Sequence, residues 1–306
     1  MGLLARARTS PTWSGRRRGA AHLRWPRRAG TTSCSWGLRG PGRPCSRRGC
    51  RVCLDPAGGL LRRPPFEDPH HTATVTALVG GGNGVPRPGA VSRAHRGVLF
   101  LDEAAEFHPR ALDALRQPLE QGELVIHRAL GAARYPARFQ LVLAANPCPC
   151  GMYTGRGDAC TCTAHARRRY LGKLSGPLLD RVDLQVDVLA VSRAAMATAQ
   201  APESTVTVAA RVEEARARQR DRLDGTAWTC NGEVPGAWLR GPLRVPGTVT
   251  VDLDRALDRG QLSIRGYDRV LRTAWTVADL AGRDRPHRDD VGQALLMRQR
   301  GPAVAA

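Results

Sequence analysis

Asp102 and Glu103 close a run of four large apolar residues, Val98-Leu99-Phe100-Leu101. Such a run is what a strand buried on both faces looks like when it delivers a carboxylate pair to its C-terminal edge. In open α/β sheets ligands sit at that edge. A nucleotide-hydrolysing site needs one acid there to hold Mg²⁺ and a second to polarise the attacking water. Asp102 and Glu103 have the type and order for those two jobs, although any strand end can carry acids because it faces water. A second apolar run, Phe139 to Ala145, ends in Asn146-Pro147. Beside the acidic strand, the Asn146 amide is placed to orient the lytic water or touch a γ-phosphate; alone, it would read as a turn former. Cys148, Cys150, Cys160 and Cys162 follow as two Cys-x-Cys pairs. Four thiolates at that spacing can converge on one tetrahedral Zn²⁺, with reduced buried thiols or a disulfide as the competing readings. With all four positions filled by protein, such a metal staples a loop and does not catalyse.

These residues need a scaffold, and the sequence outlines one. Pro109 to Gln121 carries Leu112, Leu115 and Leu119 at helical spacing, with Pro109 suited to a first turn. Glu123 to His127 and Ala133 to Ala137 read as a hairpin around Leu130-Gly131 that bears Arg128, Arg134 and Arg138. Arg167 to Leu174 reads as a helix with a basic face. Arg181 stands at a tight corner before an alternating strand, Leu184 to Leu189. A solvated ion pair is the ordinary explanation for such an arginine; in ring-forming ATPases an arginine at this point reaches the neighbour's γ-phosphate. Beyond Thr205 the pattern is helical, over Val206 to Leu223, Leu253 to Leu257, Ile264 to Leu280 and Asp289 to Met297. Arg265 and Arg269 lie one turn apart, where both can face a phosphate or simply face solvent. His70 and His71 lack a Cys or carboxylate at metal spacing, so they read as a loop contact or packed imidazoles.

The chain has 306 residues with 42% hydrophobic content, enough for one large or two modest domains, and a formal net charge of +20. That charge would point to a nucleic-acid partner, but it is unevenly placed. Residues 1–50 hold twelve arginines and no acid, and Lys173 is the only lysine in the chain. The expected organisation is a disordered basic segment over 1–54, an α/β core over 55–191, a connector over 192–205 and a helical domain over 206–306. No apolar run approaches membrane-spanning length and no secretory signal is visible, so the cytoplasm is the expected location.

From about Asp55 to Arg298 the chain resembles the magnesium-chelatase-like AAA+ ATPases of the ComM (YifB) group. The resemblance is carried by Arg62-Arg63-Pro64-Pro65-Phe66, Pro69-His70-His71-Thr72, Ala94-His95-Arg96-Gly97 through Glu103, Asn146-Pro147-Cys148-Pro149-Cys150-Gly151, Leu174-Ser175-Gly176-Pro177-Leu178-Leu179-Asp180-Arg181 and Ser263-Ile264-Arg265-Gly266-Tyr267. It implies an AAA+ P-loop-type core with an incomplete parallel sheet, and a C-terminal α-helical lid. It also implies ATP and Mg²⁺ as cofactors, a hexameric ring and DNA as the partner. In such a ring a hairpin projecting from the sheet can reach the pore, where Arg128 and Arg134 would meet phosphates, with a subunit interface as the competing reading. By the same resemblance Asp102 and Glu103 are the Walker B pair, Asn146 is sensor 1, Arg181 the arginine finger and Arg265 sensor 2.

Two departures stand out. There is no room for the Lon-like N-terminal domain usual in this group, and no Gly-x-x-x-x-Gly-Lys-Ser/Thr occurs. Two function classes follow: a motor ATPase acting on DNA whose phosphate loop is missing from this reading of the gene, with a metal-chelatase subunit as a further possibility within that class, or a non-enzymatic zinc-stapled fragment that binds nucleic acid or joins a ring passively. Residues 5 to 50 also read as upstream coding sequence in the wrong frame, since a one-base shift across Gly30 to Cys45 permits HHLLLVG followed by PPGAGKTM, an apolar strand and a phosphate loop. On that reading the central strand cannot form, and an exposed sheet edge is expected.

Overall fold

Every second residue of the two main apolar runs is fully buried, and this alternation organises the first half of the protein. The computed structural model describes residues 2–7, 64–82, 86–128, 131–153, 159–188 and 203–298. They fall into two compact units that divide after Asp187.

The first unit is built on a sheet of strands β1 (Gly2–Ala7), β2 (Phe66–Glu67), β3 (Val98–Leu101), β6 (Gln140–Ala145) and β7 (Val182–Val188), in the spatial order β2-β3-β6-β1-β7. Strands β4 (Glu123–Arg128) and β5 (Gly131–Pro136) form a separate antiparallel hairpin. β3 pairs in parallel with β6 from Val98↔Gln140 to Leu101↔Leu143, and β6 pairs in parallel with β1 from Gly2↔Leu141 to Arg6↔Ala145. Leu99, Leu101, Leu141 and Leu143 are fully buried with Phe107, Leu112 and Leu115. Each such side chain contributes about 1.5–3 kcal/mol through burial.

The strand at Gly2–Ala7 overturns part of the expectation for residues 1–54. A disordered arm and an open edge were expected, yet β1 fills the slot between β6 and β7. The physical reason is that a slot between two strands offers two rows of unsatisfied backbone groups, and any short extended segment can satisfy them. Residues 8–63, including the Cys45, Cys50 and Cys53 group and the out-of-frame reading over Gly30 to Cys45, lie outside the described residues.

The entry into β3 is fixed by Gly97. A Cβ there would come within 1.9 Å of the Pro65 carbonyl oxygen, which accepts the Val98 N–H at 2.9 Å. Only glycine allows the backbone leading to β2 to approach this closely. The single helix expected over Pro109 to Gln121 is two, Pro109–Asp113 and Arg116–Gln121. Pro118 has no N–H to give the Ala114 carbonyl, so the helical ladder breaks there.

The second unit is helical. Helices Thr205–Arg222, Gly247–Asp258, Ile264–Leu280 and Arg288–Leu296 surround a core of Leu253, Val270, Leu271, Ala274, Trp275 and Val291. Ser204 and Ser263 cap the first and third of these helices by accepting the Thr207 and Gly266 N–H groups at 3.1 Å. The short helix expected over Leu253 to Leu257 is longer and begins at Gly247. Its β-branched first turn, Thr248-Val249-Thr250, is a poor helix former that tertiary packing overrides. Asp279 is buried, and Arg222 donates to both of its oxygens at 2.7 Å while Asn231 donates to one at 2.9 Å. This satisfies a charge that would otherwise be costly to bury.

Candidate functional site

The parallel registers bring the predicted acids and amide to one end of the sheet. Leu101 faces Leu143, so Asp102 and Glu103 leave β3 beside the end of β6, where Asn146 follows Ala145. Both acids are exposed. Glu103 adopts a left-handed conformation, φ 51° and ψ 43°, which costs about 1–2 kcal/mol for a residue with a Cβ. Its N–H donates to Asp102 Oδ1 at 2.9 Å, and its carbonyl accepts the Glu106 N–H at 2.7 Å. Buried Ala104, Ala105 and Phe107 hold the resulting 3₁₀ turn in place.

Sequence reasoning missed the nearest partner of this carboxylate. His71 Nδ1 lies 2.9 Å from Glu103 Oε2, and the His70 ring packs against the His71 ring at 4.1 Å between centroids. The loop contact expected of the paired histidines is therefore made with the acid pair itself. No spacing rule links residues this far apart in the chain.

Arg181 and Arg265 sit in different surroundings. Arg181 Nη2 is 2.6 Å from Glu120 Oε1, Nη1 donates to the Pro177 carbonyl, and the side chain is only 12% exposed. Its guanidinium is thus held within its own unit. Arg265 is exposed on the first turn of Ile264–Leu280 and, like Arg269, engages neighbouring groups. In the hairpin, Arg134 is 71% exposed and its Nη1 lies 3.3 Å from Glu123 Oε1. Arg128 ends β4; its side chain is outside the described residues.

The four cysteines converge. Sγ of Cys148 is 3.3 Å from that of Cys150 and 3.7 Å from that of Cys160, Cys150 and Cys160 are 3.7 Å apart, and all four sulfurs lie within 4.8 Å of one another. A tetrahedral ion with bonds of about 2.3 Å requires sulfur separations of about 3.8 Å, so the donor set fits Zn²⁺. All four thiols are free in this structure. Their protons are unequally held. Burial pushes the Cys148 thiol up to about 12, whereas the Met152 backbone N–H, with help from Cys148, draws the Cys150 thiol down to about 6.

The cysteine group is tied to the acidic edge through helix Ala164–Gly172. Thr163, next to Cys162, caps that helix by accepting the Ala166 N–H at 3.1 Å, and Arg167 Nη1 donates to the Cys162 carbonyl at 2.6 Å. Near the far end of the helix, Tyr170 is buried with its hydroxyl facing Glu106, and Lys173 Nζ lies 3.5 Å from Glu106 Oε2. Burial, followed by the carboxylates of Glu106 and Glu103, pushes the Tyr170 hydroxyl well above its usual range.

An ATP site also needs a nest of backbone N–H groups and a lysine for the phosphates. The sequence holds no such loop, and Lys173 is committed to Glu106. The acids and amide suit Mg²⁺ and water, but among the described residues no triphosphate cradle is completed.

Residues 51–196 match the family described as magnesium chelatase, subunit ChlI, and residues 202–298 match magnesium chelatase, subunit ChlI C-terminal. An uncharacterised protein of Mycobacterium tuberculosis is 55% identical over 79% of this chain and 48% of its own length. YifB of Escherichia coli is 41% identical over 78% of this chain and 46% of its own length. Competence protein ComM of Haemophilus influenzae is 40% identical over 76% of this chain and 44% of its own length. The chain spans about half the length of these relatives. No helix among the described residues is long and apolar enough to cross a membrane. Two successive family matches, joined to a parallel sheet whose edge carries the acid pair, establish that the chain belongs to the magnesium chelatase ChlI-like family, in its ComM/YifB group.

Proposed function

We propose that this chain carries the hydrolytic half of a ComM-type AAA+ ATPase that works on DNA as a homo-oligomeric ring. The observation that carries this reading is the β3–β6 register, which supports Asp102, Glu103 and Asn146 acting together at one sheet edge. In that role Asp102 holds the water shell of Mg²⁺, Glu103 polarises the attacking water and Asn146 orients it. Arg181 would serve a neighbouring subunit as arginine finger after release from Glu120, and Arg265 would act as sensor 2 in a helical lid. The DNA reading draws on the exposed Arg134 hairpin, with Arg128 at the end of its facing strand, and on a relative named as a competence protein. Cys148, Cys150, Cys160 and Cys162 would hold a structural zinc.

A second reading, a zinc-stapled module that joins a ring passively or binds nucleic acid without turnover, is favoured by one specific observation: the missing phosphate loop. Isothermal titration with Mg-ATP separates the two. The chain as written should bind no ATP, while a version carrying a restored phosphate loop should bind at micromolar concentration. A restored chain that still fails to bind would favour the passive module. Charge reversal at Arg128 and Arg134 should abolish DNA binding by the restored protein, and an unaltered salt dependence would point to a subunit interface instead. Sequencing the gene across Gly30 to Cys45 tests the out-of-frame origin. Codons at Gly42 and Arg43 that cannot yield Lys-Thr in the shifted frame would end that idea.

A further inference from the structure

The opposite end of the sheet carries a second cluster of groups that the hydrolytic reading does not use. His95 and Arg96 stand three and two residues before β3, and Arg138 stands two residues before β6, so the parallel pairing places all three at the N-terminal edge. The backbone locks them together: the Arg96 N–H donates to the Arg138 carbonyl, and the Arg138 N–H donates to His95 Nδ1 at 3.1 Å. Because Nδ1 accepts, the neutral imidazole carries its proton on Nε2 and presents a donor there.

Arg96 is left-handed, φ 61°, at a turn where glycine would be less strained. An arginine kept in that conformation points to a use for its side chain. Arg138 runs its stem across Gly122, where an added Cβ would come within 2.7 Å of Arg138 Cγ. Among the described residues neither guanidinium meets a carboxylate at ion-pair distance, although the adjacent Arg93 and Arg134 are both paired, with Glu67 and Glu123. Burial first, and then the charges of Arg96 and Arg138, hold the His95 imidazole down to about 4. The spot therefore gathers two guanidinium groups and an imidazole N–H with no carboxylate at ion-pair distance among the described residues.

We propose that His95, Arg96 and Arg138 form an oxyanion site at the N-terminal edge of the sheet that takes a phosphate group, either free or in a nucleic-acid backbone. Two guanidinium forks and one imidazole N–H match the acceptor oxygens of a phosphate, and an acidic ligand would supply the counter-charge that the fold leaves out. The nucleic-acid source rests on the DNA reading above; the phosphate chemistry does not.

The test follows the side-chain nitrogens of His95 by NMR in the full chain at neutral pH, assigned with His95→Gln, during addition of inorganic phosphate and then of a single-stranded oligonucleotide. A saturable shift at His95 with phosphate is expected. Arg96→Gly suits the observed φ, so that variant should unfold no earlier than the parent while binding phosphate about tenfold more weakly. Arg138→Gln should behave likewise. No saturable shift, or equal binding by Arg96→Gly, would overturn the site. An oligonucleotide that displaces phosphate from His95 supports the backbone source, and one that does not overturns that source. Anisotropy of the labelled oligonucleotide on the same sample reports DNA binding as a whole, so failure of the DNA reading is seen separately from failure at His95.

Discussion

His71 reaches Glu103 across the acidic edge, Nδ1 to Oε2 at 2.9 Å, with the two side chains 30% and 49% exposed. A pair that wet contributes little to folding, about 1 kcal/mol or less. Chemical denaturation of His71→Ala should therefore show a change no larger than that. In a chain given a phosphate loop, the same substitution should alter ATP turnover well beyond its effect on stability, because it frees the carboxylate proposed above to polarise the attacking water. A large loss of stability with unchanged turnover would make His71 a packing residue only.

Metal removal should be felt at a distance. Protein purified without chelator is expected to carry about one zinc per chain, and Cys150→Ser combined with Cys160→Ser should abolish it. Helix Ala164–Gly172 runs from the cysteines to Glu106 through Tyr170 and Lys173. Hydrogen exchange at Ala104 to Glu106 should therefore quicken after chelation. Metal present with exchange unchanged on its removal would show that the helix docks independently of the ion.

Stability should fall in acid through His95. Its folded value, about 4, lies below the ordinary 6.5. The unfolded chain thus binds a proton more readily, and the contribution is complete above about pH 6.5 and lost as pH falls toward 4. The parent should lose stability across that window relative to His95→Gln, by about 2 kcal/mol once solvent screening of the partly exposed ring is allowed for. Parallel pH profiles for the two proteins would refute this.

Gly97→Ala should be among the most damaging single-methyl additions in the protein. The new Cβ meets a backbone carbonyl that is itself hydrogen-bonded to Val98, so relief requires parting β2 from β3. A loss of about 3 kcal/mol or more is expected from such overpacking, read from the urea midpoint. Val98→Ala on the same strand, which only trims a half-buried side chain, provides the contrast.

The acidic edge was legible because its strands are apolar runs with a period of two and its chemistry sits at their ends, as Leu99, Leu101, Leu141 and Leu143 testify. The cysteine group was legible because four ligands fall within fifteen residues. His71 beside Glu103 and Arg138 beside His95 were not, since both contacts depend on which strands become neighbours. The fold of Pro109 to Gln121 into two helices was visible in Pro118 but was outweighed by the leucine spacing. β1 escaped notice because six residues among many arginines give no periodic signal; the vacancy it fills is defined by strands that lie far along the chain.

That vacancy sets an order of events during synthesis. Gly2 pairs with Leu141, so the ribosome must add roughly 140 residues before β1 has a partner, on the order of ten to thirty seconds at common translation rates. Throughout that interval a short strand with two open sides is available to other partners, including a second nascent copy. Fusing a rapidly folding domain ahead of the strand would hold the segment apart from such copies and should raise the yield of correctly paired chain.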